Sequence, residues 1–388
     1  MALGVAIVLS LVAVSLVDSS AHWILAIWFG VALWVTVRGS ASAHRALWFN
    51  GAVFIAILGV GTLTFLRSDE IQQDATPRTI SEPHPDLGYR PSPGQTQRMR
   101  KYTDTETLYD VVYTVGENGL RMPPPHIEDP EKPCVLFFGG SHVYGEGVMD
   151  DEALPYRFGL ETGGRFQVHN FGFSGYGAHQ MLAAMERGLV ESAIDCNPHH
   201  VVYQGAYFHI PRAGGLSSWD QEGPWYEPVG PDTVEYLGQL KEFEGSVSSD
   251  SGLIQTLGID ELISGLHRPA NGHDYDRYIG ILENARRHVE EKYPDAEFHV
   301  LLMDDKRNGP LPFYVFAWNR PPLPDDLQQR GFHVLRRSDA LPDLLNSPEL
   351  YEIPMDRHPN AKAQAMIARY LARELTGSSA LQADSAEN

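Results

Sequence analysis

Two short segments, far apart in the chain, carry the residue types of a serine nucleophile and its base. Ser141 directly follows the run VLFFGG (135–140), and Asp356 and His358 lie in the segment DRHPN (356–360) just before the last helical pattern. A serine hydroxyl becomes nucleophilic when a base takes its proton and a carboxylate orients that base. We therefore predict Ser141 as nucleophile, His358 as base and Asp356 as the residue that orients it.

A third segment, NFGFSG (170–175), offers backbone N–H groups between a strand and a helix. Such N–H groups can stabilise an oxyanion. The alternative is a phosphate-binding turn, but the segment has no lysine and no G-x-G-x-x-G spacing, which argues against a nucleotide site. Taken alone, each segment is equally compatible with an ordinary turn.

The elements that would position these residues alternate between strands and helices. The predicted strands are 109–115, 135–138, 166–171, 200–205, 298–303 and 331–335, and the predicted helices are 151–162, 176–193, 275–292 and 360–375. This alternation predicts an α/β fold with a parallel sheet covered by helices on both faces. In such a sheet ligands bind at the carboxyl ends of the strands, where Ser141 would lie.

The segment 213–272 interrupts this alternation. It is rich in Gly, Ser, Asp and Trp, with a short helical pattern near 253–265. An insertion after a strand's carboxyl end lies next to the ligand crevice. We interpret it as a lid or a substrate-facing segment.

The ordered set of segments resembles the SGNH (GDSL-like) hydrolase superfamily. GGS (139–141) with GEGVMDDE (145–152) resembles the nucleophile block, NFGFSG (170–175) the second block, and DRHPN (356–360) the last block. The resemblance spans about 107–376. It implies a three-layer flavodoxin-like fold, ester hydrolysis or acyl transfer without metal or cofactor, and a backbone donor at Gly175.

The chain departs from this family pattern in three places. Gly140 stands where the family has Asp, and Asp356 and His358 are one residue closer than is usual. The third block, normally the source of an Asn donor, is here QGAYFHIPR (204–212). His209 is the best substitute and Gln204 the second candidate, so the predicted oxyanion donors are Ser141, Gly175 and His209. A purely structural role for His209 is equally compatible with the sequence.

The first 66 residues differ from the rest in composition. Runs 1–17, 22–37 and 47–66 are apolar and lack Asp, Glu, Lys and Arg. A membrane-spanning helix needs roughly 20 such residues. We predict about three transmembrane helices in 1–66, rather than a cleaved signal peptide, because the first run has no basic start and no clear cleavage site.

Membrane orientation follows from the arginines of the short loops. Arg38 and Arg45 place loop 38–46 inside, so residues after 66 lie outside; Arg67 argues weakly against this. The prediction is a bacterial inner-membrane protein with its catalytic domain on the periplasmic side. The remaining segments are a linker (67–106), the hydrolase-like domain (107–376) and a disordered tail (377–388).

The two cysteines, Cys134 and Cys196, each precede a predicted strand. If those strands are parallel neighbours, the sulfurs share one sheet edge within bridging reach, and an oxidising compartment would permit a disulfide. Two separate thiols are the alternative, and the one that we slightly favour.

The formal net charge of −20 argues against nucleic acid as a partner. We predict a serine esterase that acts on an acyl, most simply acetyl, ester of a cell-envelope glycan or lipid. The alternatives are an O-acyltransferase for an exported polysaccharide and a non-catalytic binding protein on a degenerate fold. The sequence identifies no protein partner.

Overall fold

The computed structural model describes residues 71–124, 131–242, 270–304, 320–344 and 346–377. The fold and the candidate site lie in the larger of two compact units, Gln72–Tyr102 with Glu106–Asn388. Within the described residues, no helix combines the length and apolar character needed to cross a bilayer. The predicted spans in 1–66 and the tail from 378 onward lie outside these residues.

A five-stranded parallel sheet forms the centre of this unit. In chain order its strands are β6 (Cys134–Phe138), β7 (Gln167–Asn170), β8 (Pro198–Gly205), β11 (Glu297–Leu302) and β12 (His333–Arg336). Their spatial order is β7-β6-β8-β11-β12, with every neighbouring pair parallel. This is the flavodoxin-like order 2-1-3-4-5, whose topological switch point lies between β6 and β8. The prediction of an α/β fold with a parallel sheet is confirmed.

Helices cover both faces of the sheet, because successive side chains of each strand point to opposite faces. In β6, Leu136 and Phe138 pack into one buried cluster, and Val135 and Phe137 pack into the other. The helices are α1 (Ser141–Tyr144), α2 (Leu154–Glu161), α3 (Ala178–Glu186), α4 (Leu189–Ala193), α5 (His209–Ala213), α6 (Gly272–Lys292), α7 (Leu323–Gln329), α8 (Arg337–Ala340) and α9 (Ala361–Thr376). Helices α3 and α6 line the first cluster and α2 and α9 the second, which makes three layers.

The predicted core elements all occur, with bounds shifted by a few residues. The predicted helix 176–193 is divided into α3 and α4, because Gly188 adopts the left-handed conformation (φ 68°) and starts a new helix. The first part of the predicted helix 151–162 is a short 3₁₀ turn, Asp150–Glu152, followed by α2.

Residues 67–106, predicted as a linker, contain four strands in their described part. These are β1 (Gln72–Thr76), β2 (Ser81–His84), β3 (Gly88–Pro91) and β4 (Thr96–Tyr102). Strand β4 lies between β1 and β5 (Thr107–Thr114) in an antiparallel sheet, and β2 pairs with β3. This small sheet is largely exposed, and most of its side chains are polar. The sequence therefore lacks the apolar alternation that would predict these strands.

The described part of the insertion 213–272 contains a hairpin rather than a free lid. Strands β9 (Pro224–Gly230) and β10 (Thr233–Gln239) pair antiparallel. Arg277 of α6 donates to the carbonyl of Tyr226 (2.7 Å) and pairs with Glu227 (2.9 Å), which fixes the hairpin to the domain. Trp219, before the hairpin, reaches the candidate site, where its indole N–H donates to the carbonyl of Gly175. The predicted helical section 253–265 lies outside the described residues.

Cys134 and Cys196 are joined in a disulfide, with their Cα atoms 5.9 Å apart. The preference for two separate thiols is therefore wrong. The reason is the pairing of β6 with β8, in which Cys134 is opposite Pro198 and its N–H donates to the carbonyl of Asn197. This pairing places both sulfurs at the amino edge of the sheet, opposite the edge where Ser141 lies.

Candidate active site

Ser141, His358 and Asp356 form a continuous chain of hydrogen bonds. The Ser141 Oγ lies 2.8 Å from the Nε2 of His358, although 217 residues separate them in sequence. The Nδ1 of the same ring bonds to the Oδ1 of Asp356. The two loops that the sequence singled out therefore meet at one crevice, in the arrangement of a nucleophile, a base and an orienting carboxylate.

The turn after β6 displays Ser141 as the first residue of the short helix α1. Gly139 has φ 155°, and a Cβ there would lie 2.7 Å from the Cγ2 of Val143. Only glycine therefore fits this tight turn between the strand and α1. The turn lies at the carboxyl end of β6, beside the switch point of the sheet.

The loop before α9 curls so that Asp356 reaches a ring only two residues further on. Met355 and Arg357 both adopt the left-handed conformation (φ 61° and 70°), and the N–H of Ile353 donates to the carbonyl of His358 (2.8 Å). Non-glycine residues in this region are uncommon and concentrate at functional sites.

Asp356 has a second partner, Lys101 of strand β4. The Asp356 side chain is fully buried, and its Oδ2 lies 2.5 Å from the Nζ of Lys101. Burial acts to raise the pKa of Asp356, but hydrogen bonds and attraction from His358 and Lys101 outweigh it and lower the pKa to about 2. Asp356 is therefore ionised at neutral pH and can hold the His358 ring.

The pKa of His358 is raised above its ordinary value. Burial acts to lower it, but the hydrogen bond to Asp356 and the nearby charge of Glu146 raise it by more. Glu146 Oε2 lies 3.9 Å from Nε2 and accepts a 2.7 Å hydrogen bond from the Ser174 hydroxyl. A base must be neutral to take a proton, so these two carboxylates determine the pH at which His358 becomes available.

Two backbone N–H groups are available near the serine, those of Ser141 and Gly175. Neither makes a hydrogen bond within the described residues. Gly175 is left-handed (φ 83°), and the Tyr89 hydroxyl donates to the carbonyl of Ser174 (2.8 Å). That carbonyl belongs to the same planar peptide as the Gly175 N–H, so Tyr89 directs the N–H to the opposite side.

His209 and Gln204 both lie beside the nucleophile turn, but they present different atoms to it, a ring nitrogen of His209 and the apolar Cβ of Gln204. The His209 Nε2 is 3.6 Å from the position of a Cβ on Gly140, whereas Gln204 packs its own Cβ behind Gly139. The His209 Nδ1 lies 2.7 Å from the Tyr203 hydroxyl, and burial holds its pKa well below the ordinary value. When Tyr203 donates to Nδ1, the proton of the neutral ring lies on Nε2, which is then a donor.

The structure also accounts for glycine at position 140, where the family pattern has Asp. A Cβ there would stand 3.0 Å from an Nη1 of Arg212 and 3.1 Å from the carbonyl of Tyr176. Arg212, from the insertion side of the crevice, donates to that carbonyl (2.8 Å) and so occupies the space.

Arg212 is a largely buried cation without a carboxylate in ion-pair contact among the described residues. The two carboxylates whose charge acts on it, Asp220 and Glu146, are engaged by other side chains. Its guanidinium lies near the ring of Trp219, 5.6 Å from the centroid. Trp219 is 56% exposed, and its indole N–H donates to the carbonyl of Gly175 (3.4 Å). A cation and an exposed aromatic ring thus border the predicted oxyanion donors.

Sequence reasoning did not identify Lys101, Tyr89 or Trp219. Lys101 and Tyr89 belong to the polar segment predicted as a linker, and each reaches the site only through tertiary packing. Burial alternates at the start of β4, but its buried residue is the polar Gln97, so the sequence TQRMRKY shows no apolar alternation that would predict a strand. Arg212 stood within the quoted third block, but without a signal for its role.

A cavity of about 80 Å³ lies behind the nucleophile turn, between α3 and the N-terminal strands. Its lining includes Gly139, Tyr176, Leu87, Leu120 and Met181, but not Ser141, His358 or Asp356. Because the three hydrogen-bonded residues lie outside its lining, this cavity is not part of the candidate site.

No protein-family model matches the chain, and no curated protein matches it. Solved structures of GDSL and SGNH hydrolases are similar to it. A protein described as a lipolytic member of the G-D-S-L family, from Desulfitobacterium hafniense DCB-2, is 11% identical, with a TM-score of 0.34, over 62% of this chain and 99% of that one.

Two further solved structures are similar. A member of the lipolytic G-D-S-L family from Veillonella parvula DSM 2008 is 13% identical (TM-score 0.32) over 62% of this chain and 96% of its own. AlinE4, an SGNH-hydrolase family esterase, is 16% identical (TM-score 0.32) over 64% and 98%.

Proposed function

We propose that this protein is a serine ester hydrolase of the SGNH type that works through an acyl-serine intermediate. The observation that carries the proposal is the hydrogen-bonded chain from Ser141 through His358 to the buried, ionised Asp356. A serine without an activating base is a poor nucleophile, and this contact supplies the base.

In the proposed reaction, the Nε2 of His358 takes the proton of Ser141 as Oγ attacks the ester carbonyl carbon. The tetrahedral oxyanion is held by the backbone N–H groups of Ser141 and Gly175 and by the Nε2–H of a second histidine, His209. The C–O bond of the ester then breaks, and His358 returns its proton to the leaving alcohol. Water, deprotonated by His358, resolves the acyl-serine to free acid and Ser141.

In this proposal His209 supplies the side-chain oxyanion donor that the family pattern assigns to an Asn in its third block. The loss of one oxyanion donor typically costs about 10²–10³ in rate. The position of its ring beside Gly140 supports the assignment.

The substrate that we propose is an acyl, most simply acetyl, ester of a cell-envelope glycan or lipid. Trp219 and Arg212 favour a glycan, because an exposed indole offers a stacking face for a sugar ring and an unpaired guanidinium can bind an anionic substituent. Trp219 contacts Gly175 and Arg212 lies beside Gly140, so both border the predicted oxyanion donors.

We further propose that residues 1–66 anchor the protein in the bacterial inner membrane with this domain on the periplasmic side. The Cys134–Cys196 disulfide supports this location, since disulfides persist in oxidising compartments. Alkaline phosphatase, which needs export for activity, should be active when fused after residue 377. An inactive phosphatase at that position would place the domain inside.

Acyl transfer to an exported polysaccharide is the alternative proposal, because it uses the same residues up to the acyl-serine. The exposed ring of Trp219 suits an acceptor sugar as well as a leaving one. Incubation of the protein with an acetyl donor and a glycan separates the two reactions. Free acetate indicates hydrolysis, and acetylated glycan indicates transfer.

The direct test of the proposed reaction is hydrolysis of p-nitrophenyl acetate. Ser141→Ala should lower the rate by at least about 10³-fold with an unchanged melting temperature. Ser192→Ala, which removes an exposed helix hydroxyl, is the matched control and should keep full activity. Full activity in Ser141→Ala would refute the nucleophile assignment. A folded wild type with no esterase activity would instead favour the non-catalytic binding protein.

A further inference from the structure

Two histidines and a glutamate converge at the amino-terminal half of the parallel sheet, away from Ser141. His200 lies on β8, and Glu297 and His299 lie on the neighbouring strand β11. In the register of the two strands Glu297 is opposite His200, and His299 follows two residues later on the same face.

The three potential ligand atoms form a nearly regular triangle. The Nδ1 of His200 lies 3.1 Å from the Nε2 of His299, and the Oε2 of Glu297 lies 3.6 Å from the first and 3.5 Å from the second. For Zn²⁺ bonds of about 2.0–2.2 Å in tetrahedral geometry, ligand atoms lie roughly 3.3–3.6 Å apart. The observed edges agree with three corners of such a tetrahedron.

The two rings and the carboxylate differ in their exposure. His200 and His299 are both buried, at 4% exposure each. Glu297 is different, because its side chain is 58% exposed and opens the cluster to solvent.

We propose that His200, His299 and Glu297 bind a Zn²⁺ ion, with water at the fourth position. Two imidazoles and one carboxylate are a donor set that Zn²⁺ accepts, and three protein ligands leave one position open. The solvent-exposed side of Glu297 provides access for the ion and the water. The ion would join β8 to β11 at the edge of the sheet opposite the catalytic loops.

A simpler interpretation is a hydrogen bond between two buried rings, with the glutamate nearby by chance. A hydrogen bond alone explains the 3.1 Å contact between the two ring nitrogens. It does not explain why the Glu297 carboxylate lies at nearly the same distance from both of them. The neighbouring trio Cys134, His169 and Cys196 does not qualify as a second site, since both sulfurs are in the disulfide.

The test is Zn²⁺ binding to the full-length protein, purified without a polyhistidine tag and stripped with chelator. Calorimetry should show one Zn²⁺ per chain, and the melting temperature should rise when Zn²⁺ is added. Co²⁺ in the same site should give the intense visible absorption of a four-coordinate ion.

Glu297→Gln should weaken Zn²⁺ binding at least 10-fold, and His299→Asn should abolish it. Because Glu297 is exposed, its variant keeps the test valid if His299→Asn does not fold. Glu291→Gln, an exposed carboxylate on α6, is the control and should bind as the wild type does. Absence of saturable binding, or equal binding by wild type and Glu297→Gln, would overturn the proposal.

Hydrolysis of p-nitrophenyl acetate separates this proposal from that for the active site. Removal of Zn²⁺ should leave the rate at 25 °C unchanged, since the ion lies away from Ser141. A large loss of rate on chelation, reversed by Zn²⁺, would contradict the placement of the ion at this edge.

Discussion

At the scale of single residues, two charges act on His358 in opposite directions. Glu146 raises its pKa, and Lys101, through its positive charge, lowers it. Neither residue is the proposed nucleophile, base or orienting carboxylate. Because the base works only when neutral, both should affect the pH dependence of the rate more than its maximum.

Glu146→Gln should move the acid limb of the kcat/KM profile to lower pH. The variant removes a negative charge 3.9 Å from Nε2, so the pKa of His358 falls and the neutral ring is present in more acidic solution. The measurement is the rate of p-nitrophenyl acetate hydrolysis between pH 5 and 9. Glu235→Gln, an exposed carboxylate on β10, should leave the profile in place. An unmoved acid limb in Glu146→Gln would contradict the electrostatic account of His358.

Lys101→Met should move the same limb to higher pH and also lower kcat. Loss of the positive charge raises the pKa of His358, and the fully buried Asp356 is left with one partner instead of two. A hydrogen bond to a charged group contributes about 1.5–3 kcal/mol, which sets the expected loss of stability.

Lys101→Arg, which keeps the charge, should restore the position of the limb. Arg98 lies on the same strand and pairs with Asp110 at the surface, so Arg98→Met is the matched control. If Arg98→Met and Lys101→Met give the same profile, Lys101 has no special role in positioning Asp356.

At the scale of elements, the site depends on the two ends of one strand. Strand β6 carries Cys134 at its amino end and leads into Ser141 at its carboxyl end. A disulfide and the proposed nucleophile are therefore separated by the length of the strand. Stability and activity should respond independently to changes at the two ends.

Cys134→Ala with Cys196→Ala should destabilise the domain by about 2–4 kcal/mol, because the disulfide closes a loop of 62 residues. The rate of ester hydrolysis at 25 °C should stay within about twofold of the wild type, since the sulfurs lie at the edge opposite Ser141. Urea unfolding and p-nitrophenyl acetate turnover measure the two effects. Unchanged stability, or a loss of rate in the folded variant, would contradict this separation.

At the scale of the whole molecule, the sequence predicted the central layers because they obey local rules. Buried strands such as VLFF and the apolar stripe of α6 carry their periodicity in the sequence itself. The sequence singles out Ser141, Asp356 and His358 as candidates because each stands beside the end of such an element, with a residue type suited to catalysis.

The rest depends on contacts that no local pattern encodes. Lys101 lies 255 residues from Asp356, and Tyr89 lies 85 residues from Ser174. The strands that carry them are short and polar, so they resembled a linker. The cross-link between Cys134 and Cys196 depended on a strand order that the sequence allowed but did not require.

The central claim is that Ser141 is activated by His358, and labelling with a fluorophosphonate tests it most directly. Mass spectrometry of the labelled full-length protein should find one phosphonyl group per chain, on Ser141. Ser141→Ala should take up none, and His358→Ala should react at least about 100-fold more slowly because the base is lost. A correctly folded wild type that takes up no label, or that is labelled at the same rate with and without His358, would contradict the account.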